Sequence, residues 1–476
     1  MSATLKADIC IIGAGSGGLS VAAGAAQLGR KVILIERHLM GGDCLNYGCV
    51  PSKALIAAAS HAHHIRRAPA FGVSAAEPVV DFPAVMKHVQ EVIAAIEPND
   101  SVERFEKLGV QVIKAEARFV SPTEVEAGNQ RIRASYFIVA TGSTALKPPI
   151  PGLDATPFFT NETVFANTTR PDHLIVIGGG PIGMELAQAH RRLGSRVTIL
   201  EARSIMPKDD AEAVAVVRES LTADGVEILE GSAVTAVSKT ATGVKVTVSK
   251  NNVTRDIEGS HILLAAGRTP NVNSLNLEAA NVPYSKRGIE VDRRLRSSNP
   301  RVYAIGDVAG GLQFTHVAGY HAGLIIRHLL FKTPVSVNYD AVPWCTFTDP
   351  ELAHVGLTEQ QAKDSRLSYK VSRWPLHDND RAQAERETHG FAKIIIVKGR
   401  PVGATIVGYK AGELILPWVM AISQKLKLSA VAGLVAAYPT MSEVSKRAAS
   451  AYYTPTLFSR GTRTVVNLLS LFSPGR

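Results

Sequence analysis

One pattern occurs twice in this chain. Residues 7–37 and 172–202 each read as a short β-branched strand, a glycine loop, an alanine-containing helix, a Leu-Gly pair and a second strand ending in glutamate. Gly13 matches Gly178, Gly15 matches Gly180, Gly18 matches Gly183, Gly29 matches Gly194 and Glu36 matches Glu201, always 165 residues apart. Each copy is a G-x-G-x-x-G unit between strand and helix. The first glycine makes the tight turn, the second lets backbone approach a pyrophosphate, and the third lets helix and strand pack closely. The phosphates rest on the helix N-terminus, where free N–H groups and the helix dipole favour anions. The acid ending the second strand takes a ribose hydroxyl. A lone fingerprint is weak. Two gapless copies predict an α/β fold with two Rossmann-like domains, and two dinucleotide sites in one chain point to a flavin and a nicotinamide.

Just after the first copy comes Gly41-Gly42-Asp43-Cys44-Leu45-Asn46-Tyr47-Gly48-Cys49-Val50-Pro51-Ser52-Lys53. Four cysteines in 476 residues are too few for a disulfide scaffold. Cys44 and Cys49 therefore read as a redox-active dithiol/disulfide rather than as two small buried residues. A structural zinc site needs about four ligands, and no second cysteine pair exists, so no metal site is expected. Cys10 and Cys345 read as inert core residues. A reactive thiol must be a thiolate, and a helix N-terminus favours that form. Pro51 reads as the first residue of an alanine-rich helix, which puts Cys49 just ahead of it.

The length calls for two to four domains. A helical pattern runs from Phe82 to Ile96, and strand-like runs surround 110–113 and 136–139. Lys147-Pro148-Pro149-Ile150-Pro151-Gly152 reads as a linker. The expected division is 1–149 with 269–340, then 150–268, then an α+β domain over 341–476. The net charge is +10, yet no Lys/Arg-rich block or nucleic-acid motif appears, so no nucleic-acid partner is expected. No apolar run of roughly 18 residues and no signal-peptide pattern is present, giving a cytoplasmic expectation. After Glu443 no acidic residue occurs, whereas Lys446, Arg447, Arg460, Arg463 and Arg476 do. The favoured place for the apolar run 465–472 is the chain's own surface; contact with an anionic membrane is the speculative alternative.

The fingerprints, the Cys44/Cys49 run, Ala140-Thr141-Gly142, Gly267-Arg268-Thr269-Pro270, Ala304-Ile305-Gly306-Asp307 and Tyr438-Pro439-Thr440-Met441-Ser442-Glu443 together resemble the pyridine nucleotide–disulphide oxidoreductases. That family includes dihydrolipoamide dehydrogenase, glutathione reductase and mercuric reductase, and the resemblance covers nearly the whole chain. It implies FAD on Gly13, Gly15, Gly18 and Glu36, with Thr141, Gly142 and Asp307 contributing. It implies NAD(P)H on Gly178, Gly180, Gly183 and Glu201, with Gly267 in the nucleotide-binding set. Cys49 would lie against the flavin, Cys44 would meet the acceptor, and Lys53 and Glu185 would form an ion pair beside the flavin. The C-terminal domain would form a homodimer interface.

Glu201 would repel a 2′-phosphate, which favours NADH, although Arg203 partly offsets this. Disulfide-reducing members carry a histidine where Tyr438 stands, paired with the acid at Glu443. A phenol with pKa near ~10 is a poor proton shuttle at neutral pH. The tyrosine resembles mercuric reductase, but the chain lacks that enzyme's C-terminal cysteine pair. The expected activity is electron transfer from NADH through flavin and the cysteine pair to a small-molecule or metal-ion acceptor, mercuric reductase-like. The alternatives are a dihydrolipoamide dehydrogenase or other disulfide reductase, and a redox-sensing flavoprotein module.

Overall fold

The computed structural model describes residues 4–472. One compact unit comprises the chain through residue 205 together with 225–337; a second comprises 206–224 and the chain from 338 onward.

In the first unit the leading copy folds as β1 (Leu5–Ile12), α1 (Ser16–Gln27) and β2 (Val32–Glu36). It is followed by α2 (Gly42–Asn46) and α3 (Cys49–Arg67). The sheet runs in the order 110–114, β2, β1, 130–139, all parallel. The last strand is paired with Val302–Ala304 along its C-terminal half and with an antiparallel hairpin, 117–127, along its N-terminal half. The second copy folds as β3 (His173–Ile177), α4 (Pro181–Arg192) and β4 (Arg196–Glu201). Its sheet is also parallel, in the order 227–230, β4, β3, 261–264. All residues of β2 and β3 are buried, as strands covered on both faces must be. Small residues let α1 pack closely against α5 (Thr315–Leu329). A Cβ on Gly24 would come within 2.4 Å of the Ile326 side chain.

The second unit is built on a five-stranded antiparallel sheet, ordered 343–346, 351–356, 400–408, 391–397, 370–375. Trp418 is fully buried in its core and donates to Ser445 Oγ at 3.0 Å. The helix Ala211–Ala223 belongs to this unit. Lys393, almost fully buried, anchors it by pairing with Asp210 at 3.0 Å and Glu212 at 2.6 Å, and it also pairs with Glu359 at 2.5 Å. A buried cation with three carboxylate partners holds such a segment firmly, since removing partners would strand the charge.

The tail departs from expectation. It forms α6 (Arg460–Ser470), with Ser459 Oγ accepting from Thr462 N at 3.2 Å. No residue of α6 is buried, so the apolar run does not cover itself on the chain's own surface. Among the described residues no helix is long and apolar enough to cross a membrane.

Candidate active site

The two glycine units have nearly the same geometry. Gly13 and Gly178 adopt φ of +106° and +117°, which only glycine takes readily. A Cβ on Gly18 would come within 1.9 Å of the Gly13 carbonyl oxygen, and one on Gly183 within 2.0 Å of the Gly178 oxygen. The middle glycines face open space: nothing lies within 4 Å of a Cβ on Gly180, and only Gly42 Cα, at 3.9 Å, near one on Gly15. Gly15 and Gly180 precede α1 and α4 with extended backbone and no side-chain cap. The first N–H groups of both helices are thus presented to an anion.

The terminal acids are held alike. Glu36 accepts from Ala14 N and His38 N, each at 2.7 Å. Glu201 accepts from Gly179 N at 2.8 Å and Arg203 N at 2.9 Å. These partners also stand 165 residues apart, so the duplication extends to hydrogen bonds. Each carboxylate retains lone pairs for a ribose hydroxyl. The open middle glycine, uncapped helix start and anchored acid fit a dinucleotide in both places.

Asp307 is half-buried, and burial pushes its carboxyl above the usual range, countered by Ser143 and Arg268. Ser143 Oγ donates to Asp307 at 2.5 Å and accepts from Arg268 Nε at 2.7 Å. Arg268 also pairs with Asp43 at 3.1 Å, next to Cys44. The Thr141 hydroxyl is committed to Asn271 O at 2.7 Å, and Asn271 N donates to Gly142 O at 3.0 Å. Leu146 N donates to Gly267 O at 2.9 Å. These bonds pin the Thr141–Gly142 and Gly267 segments together.

Cys44 lies in α2 and Cys49 opens α3. Helix α3 begins at Cys49 rather than at Pro51. Pro51 is its third residue, where the missing N–H costs nothing because the first four have no intrahelical acceptor. The two thiols act on each other and shift in opposite directions. Cys49 is pushed down to about 6: the bond from Cys44 acts most strongly, Thr315 and Lys53 assist, and burial and Asp43 oppose. Cys44 is pushed up, by its bond to Cys49 and then by burial. Cys49 Sγ lies 3.3 Å from Thr315 Oγ1, at the start of α5, and Ser16 at the start of α1 acts to lower the Cys44 pKa against the larger raising effects. The sequence reading identified neither hydroxyl. Cys10 is fully buried and burial raises its pKa; Cys345 is half-buried.

Lys53, one turn after Cys49, pairs with Glu185 of α4 at 2.8 Å, so the first and second copies are joined beside the thiols. Glu185 is buried. Tyr438 and Glu443 lie in the second unit. The Tyr438 side chain is 68% exposed, and its hydroxyl donates to Asp380 Oδ2 at 2.7 Å. That bond raises the phenol pKa above its ordinary value. Glu443 is buried and makes an i,i+4 pair with Arg447 at 3.7 Å.

Comparison with known proteins agrees with this geometry. Residues 7–322 match the family described as pyridine nucleotide-disulphide oxidoreductase, and 342–449 match its dimerisation domain. A mercuric reductase from Bacillus cereus is 36% identical over 93% of this chain and 70% of its own length. A dihydrolipoyl dehydrogenase from Geobacillus stearothermophilus is 34% identical over 94% of this chain and 96% of its own. The Cu(II) complex of the HOCl-induced flavoprotein disulfide reductase RclA from Escherichia coli superposes with a TM-score of 0.84 at 28% identity, covering 94% of this chain and 99% of that one. LpdA from Mycobacterium tuberculosis does so with a TM-score of 0.86 at 29% identity, covering 94% and 99%. The family matches over most of the chain make it a member of the pyridine nucleotide–disulphide oxidoreductases, FAD-dependent enzymes that draw electrons from NAD(P)H.

Proposed function

We propose that this flavoenzyme uses NADH to reduce a thiophilic metal ion, of the Hg(II) or Cu(II) type, held between Cys44 and Cys49. The observation that carries the reading is Tyr438: its phenol is bonded to Asp380 and holds its proton more tightly than a free tyrosine. Such a group is no acid–base catalyst at neutral pH, and a disulfide acceptor needs one to protonate its leaving thiolate. A soft metal ion needs thiolate ligands instead. The mercuric reductase relatives and the copper complex of RclA are consistent with this choice.

We assign 1–149 and 269–340 to FAD, 150–268 to NADH and 341–476 to a homodimer interface. FAD supplies the hydride and one-electron chemistry that side chains lack. Gly13, Gly15, Gly18 and Glu36 would hold its adenosine diphosphate half, with Asp307 and the backbone of Thr141 and Gly142 beyond. Gly178, Gly180 and Gly183 would hold the nicotinamide dinucleotide. The Glu201 carboxylate, fixed by two backbone amides, would accept from a free ribose and repel a 2′-phosphate. Lys53 would keep Cys49 anionic while neutralising Glu185. Reliance on NADH and on reduced thiols suits the cytoplasm.

A steady-state acceptor panel tests this: Hg(II), Cu(II), lipoamide, glutathione disulfide and a quinone, with NADH and NADPH, on wild type and Cys44→Ser. Metal-dependent NADH oxidation abolished by Cys44→Ser is expected. Faster turnover with a disulfide or quinone, or metal turnover indifferent to Cys44, would overturn it.

A further inference from the structure

We infer that α6 is a docking element for an anionic membrane surface. Around this helix Val465, Val466, Leu468 and Leu469 occupy one arc, and Arg460, Arg463, Thr464, Asn467 and Ser470 the other. The four apolar side chains are 53%, 57%, 56% and 63% exposed, and Phe472 just beyond them is 86% exposed. The chain thus maintains an ordered helix whose apolar arc it leaves uncovered, at a cost that a water-facing helix would avoid.

Charge identifies the occupant. The chain beyond Glu443 has five cationic side chains and no acid. An anionic headgroup layer complements that sign: the apolar arc enters the headgroup–acyl boundary while Arg460 and Arg463 reach the phosphates. A second copy would bring the same positive charge against itself. The match to the dimerisation domain also ends at residue 449, before α6 begins. Spanning is excluded by length: eleven residues rise about 16 Å, half the hydrocarbon thickness. Peripheral binding remains. The homodimer carries two such helices, and a pair raises avidity over one.

Co-sedimentation of the full-length holoenzyme with vesicles tests this. One set is phosphatidylcholine alone; the other adds phosphatidylglycerol. Binding to the second set only, weakening with added salt, is expected. Arg460→Gln with Arg463→Gln should lower the partition coefficient by roughly thirtyfold. Leu468→Asp with Leu469→Asp should abolish binding while leaving flavin content, NADH oxidation and dimer mass unchanged. Equal binding to both vesicle sets, or none to either, would overturn the inference. So would a leucine variant that becomes monomeric, because α6 would then be a contact between copies.

Discussion

Removing the hydroxyl of Thr315 isolates one of the forces that make Cys49 a thiolate. Thr315 Oγ1 lies 3.3 Å from Cys49 Sγ and acts with Cys44 and Lys53 to bring the thiol down to about 6. A hydrogen bond to a charged group contributes about 1.5–3 kcal/mol, and one pKa unit corresponds to about 1.4 kcal/mol. Thr315 is one of several groups acting on the thiolate, so the lower end applies, and Thr315→Val should raise its pKa by about one unit. At pH 7 the thiolate fraction would fall from about nine-tenths to about half. The assay is the rate of Cys49 alkylation by iodoacetamide in the reduced protein, followed across pH by peptide mass spectrometry, because only the thiolate reacts. The midpoint should move from near 6 to near 7, and Thr315→Ser should restore it. The sign also fixes a stability effect. Folding lowers this pKa, so the stabilisation is present above the ordinary thiol value and is lost as pH falls through about 6. An unchanged midpoint in Thr315→Val would refute the role of the α5 start in activating Cys49.

Four further outcomes follow from the same geometry. Gly18→Ala, whose Cβ would lie 1.9 Å from the Gly13 oxygen, should yield protein lacking bound flavin by its absorbance spectrum. Gly183→Ala, with a 2.0 Å clash, should keep flavin and raise the KM for NADH. Glu201→Gln removes a fixed negative charge from the proposed ribose site, and the NADPH/NADH ratio of kcat/KM should rise about tenfold, or about 1.4 kcal/mol. Tyr438→His should raise dihydrolipoamide oxidation above the wild-type rate, measured as NADH formation; no gain would mean that position 438 does not set acceptor choice.

What the sequence made legible is steric and local. A glycine that must allow a positive φ or a contact near 2 Å admits no other residue, so Gly13, Gly18, Gly178 and Gly183 stand out without a structure. The helix at Phe82–Ile96 also falls where its apolar spacing predicts, with Asp81 as its cap. What was not legible depends on chain topology. Thr315 is 266 residues from Cys49, and Asp380 is 58 from Tyr438. No spacing rule pairs them, because α5 and the C-terminal sheet bring them together. The helix Ala211–Ala223 lies inside the stretch 150–268 that reads in sequence as one domain. Its acids Asp210 and Glu212 pair with the buried Lys393, and it falls in the other compact unit.

The opposite shifts of the two cysteines describe one shared proton. Cys44 is raised chiefly by its bond to Cys49, and Cys49 is lowered chiefly by the same bond. The reduced pair therefore titrates as a unit, with Cys49 the side that favours the thiolate. The outer sulfur is then a weak nucleophile at neutral pH, since attack on a disulfide requires its thiolate. Releasing that proton takes either a base or a competing cation. Tyr438 offers no base, because its own proton is held for Asp380. A soft cation needs none: binding to both sulfurs displaces the proton directly, so its affinity rises with pH. The reduced pair therefore favours an acceptor that pulls the proton off by coordination. If Cys44 loses its proton at neutral pH without any metal, as followed by its own alkylation profile, that preference disappears.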